Sequence, residues 1–376
     1  MSEARIPLSD LAYGPDEEAA VQRVLSRRWI TMGPEVEAFE QEFAAMLGAR
    51  HALAVANGTA ALHLSYLALG LDAGDEIIQP AINFVASANL TLMIGAHPVF
   101  ADIVGLDEPT IDPQRVAALI TPATRAVVVM HYGGYLCRMA EIRAVCKEKG
   151  VALIEDACHA VGAAHELGMA GTLGDIACFS FFGNKNMAVG EGGMVVTNRD
   201  DLAEKVRALR SHGMTSLSWD RHQGHARSYE VVMPGFNYRL DDLHAALGRS
   251  QLAKLPENNK RRRTLVELYR RHLDDLPGWT LPFGAYEGDS AYHLMTVVAP
   301  DESQRELVVK ALAEKDVQTS LHYPCIPRFQ AFQSIGHDHL EHSDAYAART
   351  ITLPLYPGLR EEQVERIASV IRDAVD

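Results

Sequence analysis

The sequence predicts an α/β protein built on an open, largely parallel sheet with helices on both faces, followed by a smaller α/β segment. Seven short β-rich apolar runs recur, at residues 51–56, 76–80, 98–102, 126–131, 152–156, 176–181 and 194–198. Runs apolar throughout read as strands buried on both faces. They alternate with stretches of helical periodicity, and that alternation implies a parallel sheet with crossover helices. The length of 376 residues allows one large and one smaller domain.

The helices follow in order. Residues 35–47 place Val36, Phe39, Phe43, Met46 and Leu47 on one stripe. The first strand runs into the Asn57-Gly58 turn, and a helix over 59–69 stops at Gly70, a C-terminal cap. A helix over 241–255 opens on Asp241 as N-cap and turns Leu243, Ala246 and Leu247 inward. After Pro256 the pattern changes to a long polar helix, and an amphipathic helix over 361–374 closes the chain. The domain boundary is therefore expected near Leu255, giving domains of 1–255 and 256–376. Internal repeats, low-complexity tracts and long linkers are lacking.

Composition narrows the function. The chain is 48% hydrophobic and 22% charged, enough apolar residues for a sizeable core. A formal net charge of −14 disfavours nucleic acid and anionic membrane as partners. The basic run Lys260-Arg261-Arg262-Arg263 reads as the solvated face of a helix. Five scattered cysteines without a C-x-x-C pair suit a reducing cytoplasm and argue against a disulfide framework or structural zinc. Residues 1–5 lack an apolar signal region, and no apolar stretch approaches the ~20 residues of a membrane span. The expectation is a soluble cytoplasmic protein without a metal centre. The stretch from His337 to His342 carries three histidines but no familiar zinc spacing, and reads as a solvated loop.

The chemistry concentrates at three strand ends, where ligands collect in open α/β sheets. Lys185 lies in Ser180-Phe181-Phe182-Gly183-Asn184-Lys185 and is followed by the glycine-rich turn Gly190-Glu191-Gly192-Gly193. A hydroxyl, an amine and a flexible turn after an apolar run suit an aldehyde cofactor held as a Schiff base with its phosphate nearby. In a pocket, burial frees the amine from its proton; in a plain surface loop Lys185 would do nothing of the kind. Asp156 ends the fifth run and suits the partner of a pyridine nitrogen, or else a turn cap. Glu155 faces the other way along the strand and reads as structural. Gly58 and Thr59 open a helix whose N–H groups can bind a phosphate, with the Thr59 and Ser180 hydroxyls as further donors; the alternative is an ordinary cap.

Five segments in this order resemble the DegT/DnrJ/EryC1/StrS sugar aminotransferases, of the aspartate aminotransferase fold (fold type I). They are Trp29-Ile30-Thr31-Met32-Gly33-Pro34, Asn57-Gly58-Thr59-Ala60-Ala61-Leu62, the Asp156 segment, the Lys185 segment, and Gly235-Phe236-Asn237-Tyr238-Arg239-Leu240. The resemblance runs from about Ile6 to about Ile371. It implies a seven-stranded, mostly parallel sheet in the large domain and pyridoxal 5'-phosphate as cofactor, with pyridoxamine 5'-phosphate as intermediate. Phe84 matches the aromatic stacked on the pyridine ring, though a core phenylalanine reads the same way. His159 matches a residue beside the phenolic oxygen, or is a satisfied core histidine. Asn237 matches an asparagine reaching the neighbouring subunit's phosphate, which implies a homodimer with shared sites; alternatively it is a loop residue. His322 and Tyr323 resemble a small-domain loop near the sugar.

The resemblance also bears on the reaction. Relatives with histidine at the lysine position dehydrate sugars; Lys185 points instead to amino transfer. The Gly190-Glu191-Gly192-Gly193 turn and the Ser180–Lys185 run resemble C4-acting members such as perosamine synthase. The expected reaction moves an amino group from L-glutamate to the C4 ketone of a nucleotide-linked 4-keto-6-deoxyhexose. The nucleotide is expected to be dTDP and the pathway deoxyaminosugar synthesis, antibiotic assembly included. Transamination of a 3-keto sugar or an inosose, or a non-catalytic cofactor-binding regulator, are the alternatives.

Overall fold

The computed structural model describes residues 5–216, 219, 224, 228–336 and 339–375. Helices α1 (Pro15–Arg27) and α2 (Pro34–Leu47) precede strand β1 (His51–Val55) and helix α3 (Gly58–Leu69). Then come β2 (Glu76–Pro80), α4 (Ala86–Met93), β3 (His97–Ala101), α5 (Pro113–Leu119), β4 (Thr124–Met130), α6 (Met139–Lys149) and β5 (Ala152–Asp156). A short hairpin, β6 (Ala164–His165) and β7 (Gly168–Met169), leads to β8 (Ile176–Ser180), β9 (Gly193–Thr197) and α7 (Asp200–Leu209). The long α8 (Asp242–Leu273) passes to β10 (Met295–Val298), α9 (Glu302–Glu314), α10 (Glu341–Arg349), β11 (Thr350–Leu353) and α11 (Glu361–Val375).

The large sheet has seven strands in the order β1-β9-β8-β5-β4-β2-β3. β8, β5, β4, β2 and β3 run parallel; β9 pairs antiparallel with both β8 and β1. The seven apolar runs of the sequence are these seven strands. All strands but β9 thus point their carboxyl ends toward one edge.

Alternate residues feed two cores. Leu153, Ala177 and Phe179 pack toward α2, α5 and α6, while Ile154, Ile176 and Cys178 pack toward α3 and α7. On α2, Phe39 and Phe43 meet Phe179 and Phe181 with ring centroids 5.1–5.5 Å apart. Each such pair adds about 0.5–1.5 kcal/mol beyond burial. Phe179 and Phe181 are anchored toward α2, so Ser180 between them turns to the α3 face, the face of Asp156 as well.

Two expectations need correction. The helix over 241–255 does not stop at Pro256; α8 continues through it to Leu273, with Asp241 as N-cap accepting from the His244 N–H. Tertiary packing on both halves offsets the hydrogen bond the proline lacks. The basic run is not wholly solvated either. Arg262 is buried and donates to the backbone oxygens of Leu355 (2.9 Å) and His293 (3.5 Å).

A third core gathers Leu265 and Tyr269 of α8, Val297, Val308, Ile351 and Ile367. Ile6 joins it, exchanging backbone hydrogen bonds with Asp316 and Gln318. Among the described residues, no helix is long and apolar enough to cross a membrane, and no group of three or more His, Cys, Asp or Glu is placed to hold a metal. Of the histidine-rich stretch, His337 and Asp338 lie outside the described residues; the His342 N–H caps onto Asp102 at 3.0 Å.

Candidate active site

A cavity of about 420 Å³ opens at the carboxyl ends of β1, β2, β5 and β8. Gly58, Thr59 and Phe84 line it from the loops after β1 and β2. Asp156 and His159 enter from β5, Ser180 and Lys185 from β8, and His322 and Tyr323 from the C-terminal region. Four separate strand ends and a remote loop thus converge. Asn237 does not line this cavity; it bridges in antiparallel fashion to Ser211.

One end suits an anion. The N–H groups of Gly58 and Thr59 lie ahead of the hydrogen-bonded ladder of α3, at its positive dipole end. Asn57 caps the helix by accepting from the Ala60 N–H at 2.8 Å, which leaves the first two N–H groups for a ligand. A Cβ on Gly58 would sit 2.9 Å from Ser180 Cβ and 3.4 Å from Ser180 Oγ. Glycine therefore lets the helix start approach the Ser180 hydroxyl. A Cβ on Gly193 would lie 2.5 Å from the carbonyl carbon and oxygen of Asn57, so that glycine seats the same turn against β9.

The floor carries the acid and the amine. Asp156 is buried, with Oδ1 accepting from the Cys158 N–H at 3.2 Å. Lys185 lies on the loop after β8, its backbone N–H bonded to Phe182 O at 2.8 Å. Burial pushes the Lys185 amine below its ordinary pKa, and Cys158 and Asp156 pull the other way. Glu155, on the opposite face of β5, is fully engaged. It accepts from Gly171 (2.8 Å), Leu173 (2.7 Å) and Gly174 (2.5 Å) N–H groups and pairs with His131 Nε2 at 2.9 Å.

The histidines beside the amine are neutral. His159 Nδ1 faces the Gly133 N–H at 3.4 Å and must accept there. Its Nε2 therefore carries the hydrogen and donates to Tyr323 Oη at 2.9 Å. Burial, then the coupling to Lys185 and His322 nearby, holds His159 well below the usual histidine range. His322 falls to about 4 through burial and then Lys185, with Nδ1 3.0 Å from Thr352 Oγ1. Burial raises the Tyr323 hydroxyl, which stays protonated. Its ring stacks on His159 at 5.9 Å and lies 6.0 Å from Phe84.

Other lining residues escaped sequence reasoning. Phe182 lines the cavity and is 49% exposed; the expected Phe84 is 54% exposed, so neither behaves as a core residue. Asn83 lines the cavity and donates to Ser87 Oγ at 3.2 Å. A polar residue inside the apolar run after β2 was the available signal. Cys158, between Asp156 and His159, also lines it.

An N–H cradle for a dianion, a carboxylate for a pyridinium and a desolvated amine for an aldehyde fit pyridoxal phosphate. Fold and site together define a lysine-based, pyridoxal phosphate-dependent sugar aminotransferase of fold type I. The chain belongs to the DegT/DnrJ/EryC1/StrS aminotransferase family, whose model matches residues 12–372. It is 38% identical over 380 residues to the spore coat polysaccharide biosynthesis protein SpsC of Bacillus subtilis (strain 168), covering 98% of this chain and 97% of that protein. DesV of S. venezuelae, solved in complex with a ketimine intermediate, superposes with a TM-score of 0.91 at 34% identity, covering 99% and 98% of the two chains. DesI, solved in the presence of its TDP-sugar product, gives a TM-score of 0.88 at 32% identity over 98% of this chain and 93% of that one.

Proposed function

We propose that this enzyme moves an amino group from L-glutamate to the C4 ketone of a dTDP-linked 4-keto-6-deoxyhexose, giving a 4-amino-4,6-dideoxy sugar. The observation that carries the reading is Lys185 beside Asp156 in one cavity, with Glu191 of the Gly190–Gly193 turn on its wall. The TDP-sugar product of DesI supports the choice of nucleotide.

Bound pyridoxal phosphate supplies an electron sink for carbanion character at the substrate carbon. Asp156 keeps the pyridine nitrogen protonated. Gly58, Thr59 and Ser180 hold the phosphate, and Phe84 covers the ring. Lys185 Nζ takes the proton from the donor's α-carbon and returns one to the sugar carbon. Tyr323, whose oxygen accepts from His159, turns its own O–H to the cavity, and His322 lies on the sugar side. Asn237 serves the phosphate of the partner's site in a homodimer. Residues 1–255 form the cofactor-binding body and 256–376 the smaller one, in a cytoplasmic enzyme.

Purified protein is incubated with pyridoxal phosphate, L-glutamate and a panel of nucleotide 4-keto and 3-keto sugars and an inosose, and products are identified by NMR. A 4-amino-4,6-dideoxy product from the dTDP sugar supports the proposal. Amination of the 3-keto sugar or inosose alone refutes the C4 assignment. A visible cofactor band that glutamate does not bleach refutes catalysis.

A further inference from the structure

Behind Lys185 lies a polar ring that the reaction itself does not require. Asn186, the next residue, is buried. Its Nδ2 donates to Ala291 O at 2.6 Å and to Asn259 Oδ1 at 2.9 Å. Asn259, on α8, in turn donates from Nδ2 to Val161 O at 3.0 Å. Backbone carbonyls accept only, so both amide orientations are fixed. Asn186 Oδ1 is then left facing His293 Nδ1 at 2.9 Å, and that nitrogen must carry the hydrogen.

His293 closes the circuit. Its ring lies 4.3 Å from the ring of His159, and Val161 sits on the turn immediately after His159. The ring therefore runs from the His159 turn through Asn259, Asn186 and His293 back to His159. His293 is also pinned by its backbone: its N–H donates to Gly133 O at 2.8 Å, and its carbonyl accepts from Arg262. The approach is tight. Gly134 has φ +98, and a Cβ there would meet the Tyr292 N (2.9 Å) and the His293 N (3.0 Å). Burial holds His293 well below the usual histidine range.

We propose that Asn186 is a positioning residue: through Asn259 and His293 it holds the Lys185 amine and the His159 ring in fixed register across the cofactor cavity. Asn186 touches no reacting atom, so it acts only through these neighbours. The inference rests on the aminotransferase reading.

The test compares four holoenzymes: wild type, Asn186→Ala, His293→Asn and His293→Gln. The amide nitrogen of asparagine takes the place of histidine Nδ1, whereas that of glutamine takes the place of Nε2. Only His293→Asn therefore keeps the donor to Asn186. Three readouts apply: the pH midpoint of the visible cofactor band, kcat and KM for L-glutamate, and circular dichroism to establish folding. Misplacing a reacting group by about 1 Å costs up to ~10²-fold. Asn186→Ala and His293→Gln should lose roughly 10- to 100-fold in kcat, with a smaller change in KM and a displaced pH midpoint. His293→Asn keeps the donor to Asn186 but loses the ring contact with His159, so it should lose clearly less kcat than His293→Gln, by roughly threefold or more, and displace its midpoint less.

Wild-type midpoint and kcat in a folded Asn186→Ala overturn the proposal. So does equal impairment of His293→Asn and His293→Gln, a comparison that decides the matter if Asn186→Ala fails to fold. If wild-type protein takes up no pyridoxal phosphate at Lys185, the aminotransferase reading falls instead. Wild-type loading with unaffected variants sinks the positioning role alone.

Discussion

Replacing Gly58 by alanine separates phosphate binding from everything else the site does. Gly58 is the first residue of α3, so its backbone already suits alanine, which gains about 1 kcal/mol over glycine within a helix. Against this, the new Cβ lies 2.9 Å from Ser180 Cβ and 3.4 Å from Cys158 Sγ. Ordinary carbon contacts are about 3.5–4.0 Å, so α3 and the end of β8 must part by on the order of 1 Å. Overpacking of this kind costs about 1–3 kcal/mol. The net change in stability is therefore small, roughly 0–2 kcal/mol. The effect on the cofactor is larger, because the parted surfaces carry the Gly58 and Thr59 N–H groups and the Ser180 hydroxyl. One hydrogen bond to a charged group is worth about 1.5–3 kcal/mol, so phosphate-dependent affinity should fall about 10- to 100-fold. Apo-protein is titrated with pyridoxal phosphate and, separately, with pyridoxal, following the visible band formed at Lys185. The ratio of the two affinities should shrink by that factor while pyridoxal binding stays near wild type. An unchanged ratio, or an equal loss for both ligands, refutes the cradle.

Lys185→Ala should abolish product formation by mass spectrometry while the protein stays folded; near-normal turnover would count against the assignment. Mixing Lys185→Ala with Asn237→Ala chains should regenerate some sites with both groups intact, and unfolding and refolding the mixture without recovery of activity would weaken the shared-site dimer. Glu155→Gln turns an amide N–H₂ either toward the Gly171 N–H and His131 or toward the Leu173 and Gly174 N–H groups, and should cost about 2–5 kcal/mol in chemical denaturation. His322, at about 4 in the folded chain against an ordinary 6.5, binds its proton first when unfolded. Its contribution is full above pH 6.5 and is lost as the pH falls toward 4, by about 3 kcal/mol in all. His159 and His293 act in the same direction. Thermal unfolding from pH 7 to 4.5 should be less acid-sensitive in His322→Asn than in wild type; equal slopes would refute the assignment.

The seven strands were readable because most of their residues are buried and apolar, with polar residues such as Gln79, Glu155 and Asp156 few among them. That Lys185, Asp156, Gly58, Thr59 and Ser180 would meet in one cavity was readable for a related reason: strand ends gather around the clefts of such sheets. What escaped was set by distant partners. Arg262 sits among four consecutive basic residues, and nothing local says which one turns inward; its acceptor on Leu355 lies 93 positions downstream. Asn186 looks like any polar loop residue, because its partners Asn259, Ala291 and His293 lie 73, 105 and 107 positions away. Pro256 read as a stop because proline usually is one. Here both halves of α8 are held by separate cores, and the single missing bond is tolerated.

That uninterrupted α8 has a practical corollary. At about 1.5 Å per residue its 32 residues form a rod of roughly 48 Å. Severing the polypeptide after Leu255 would leave each fragment with a stump of the same rod. Ile6 would be stranded from the hydrophobic neighbours it needs on the far piece. Truncation or split-protein engineering at that point would therefore be expected to yield insoluble halves, and hybrids with homologues would be better joined outside the rod.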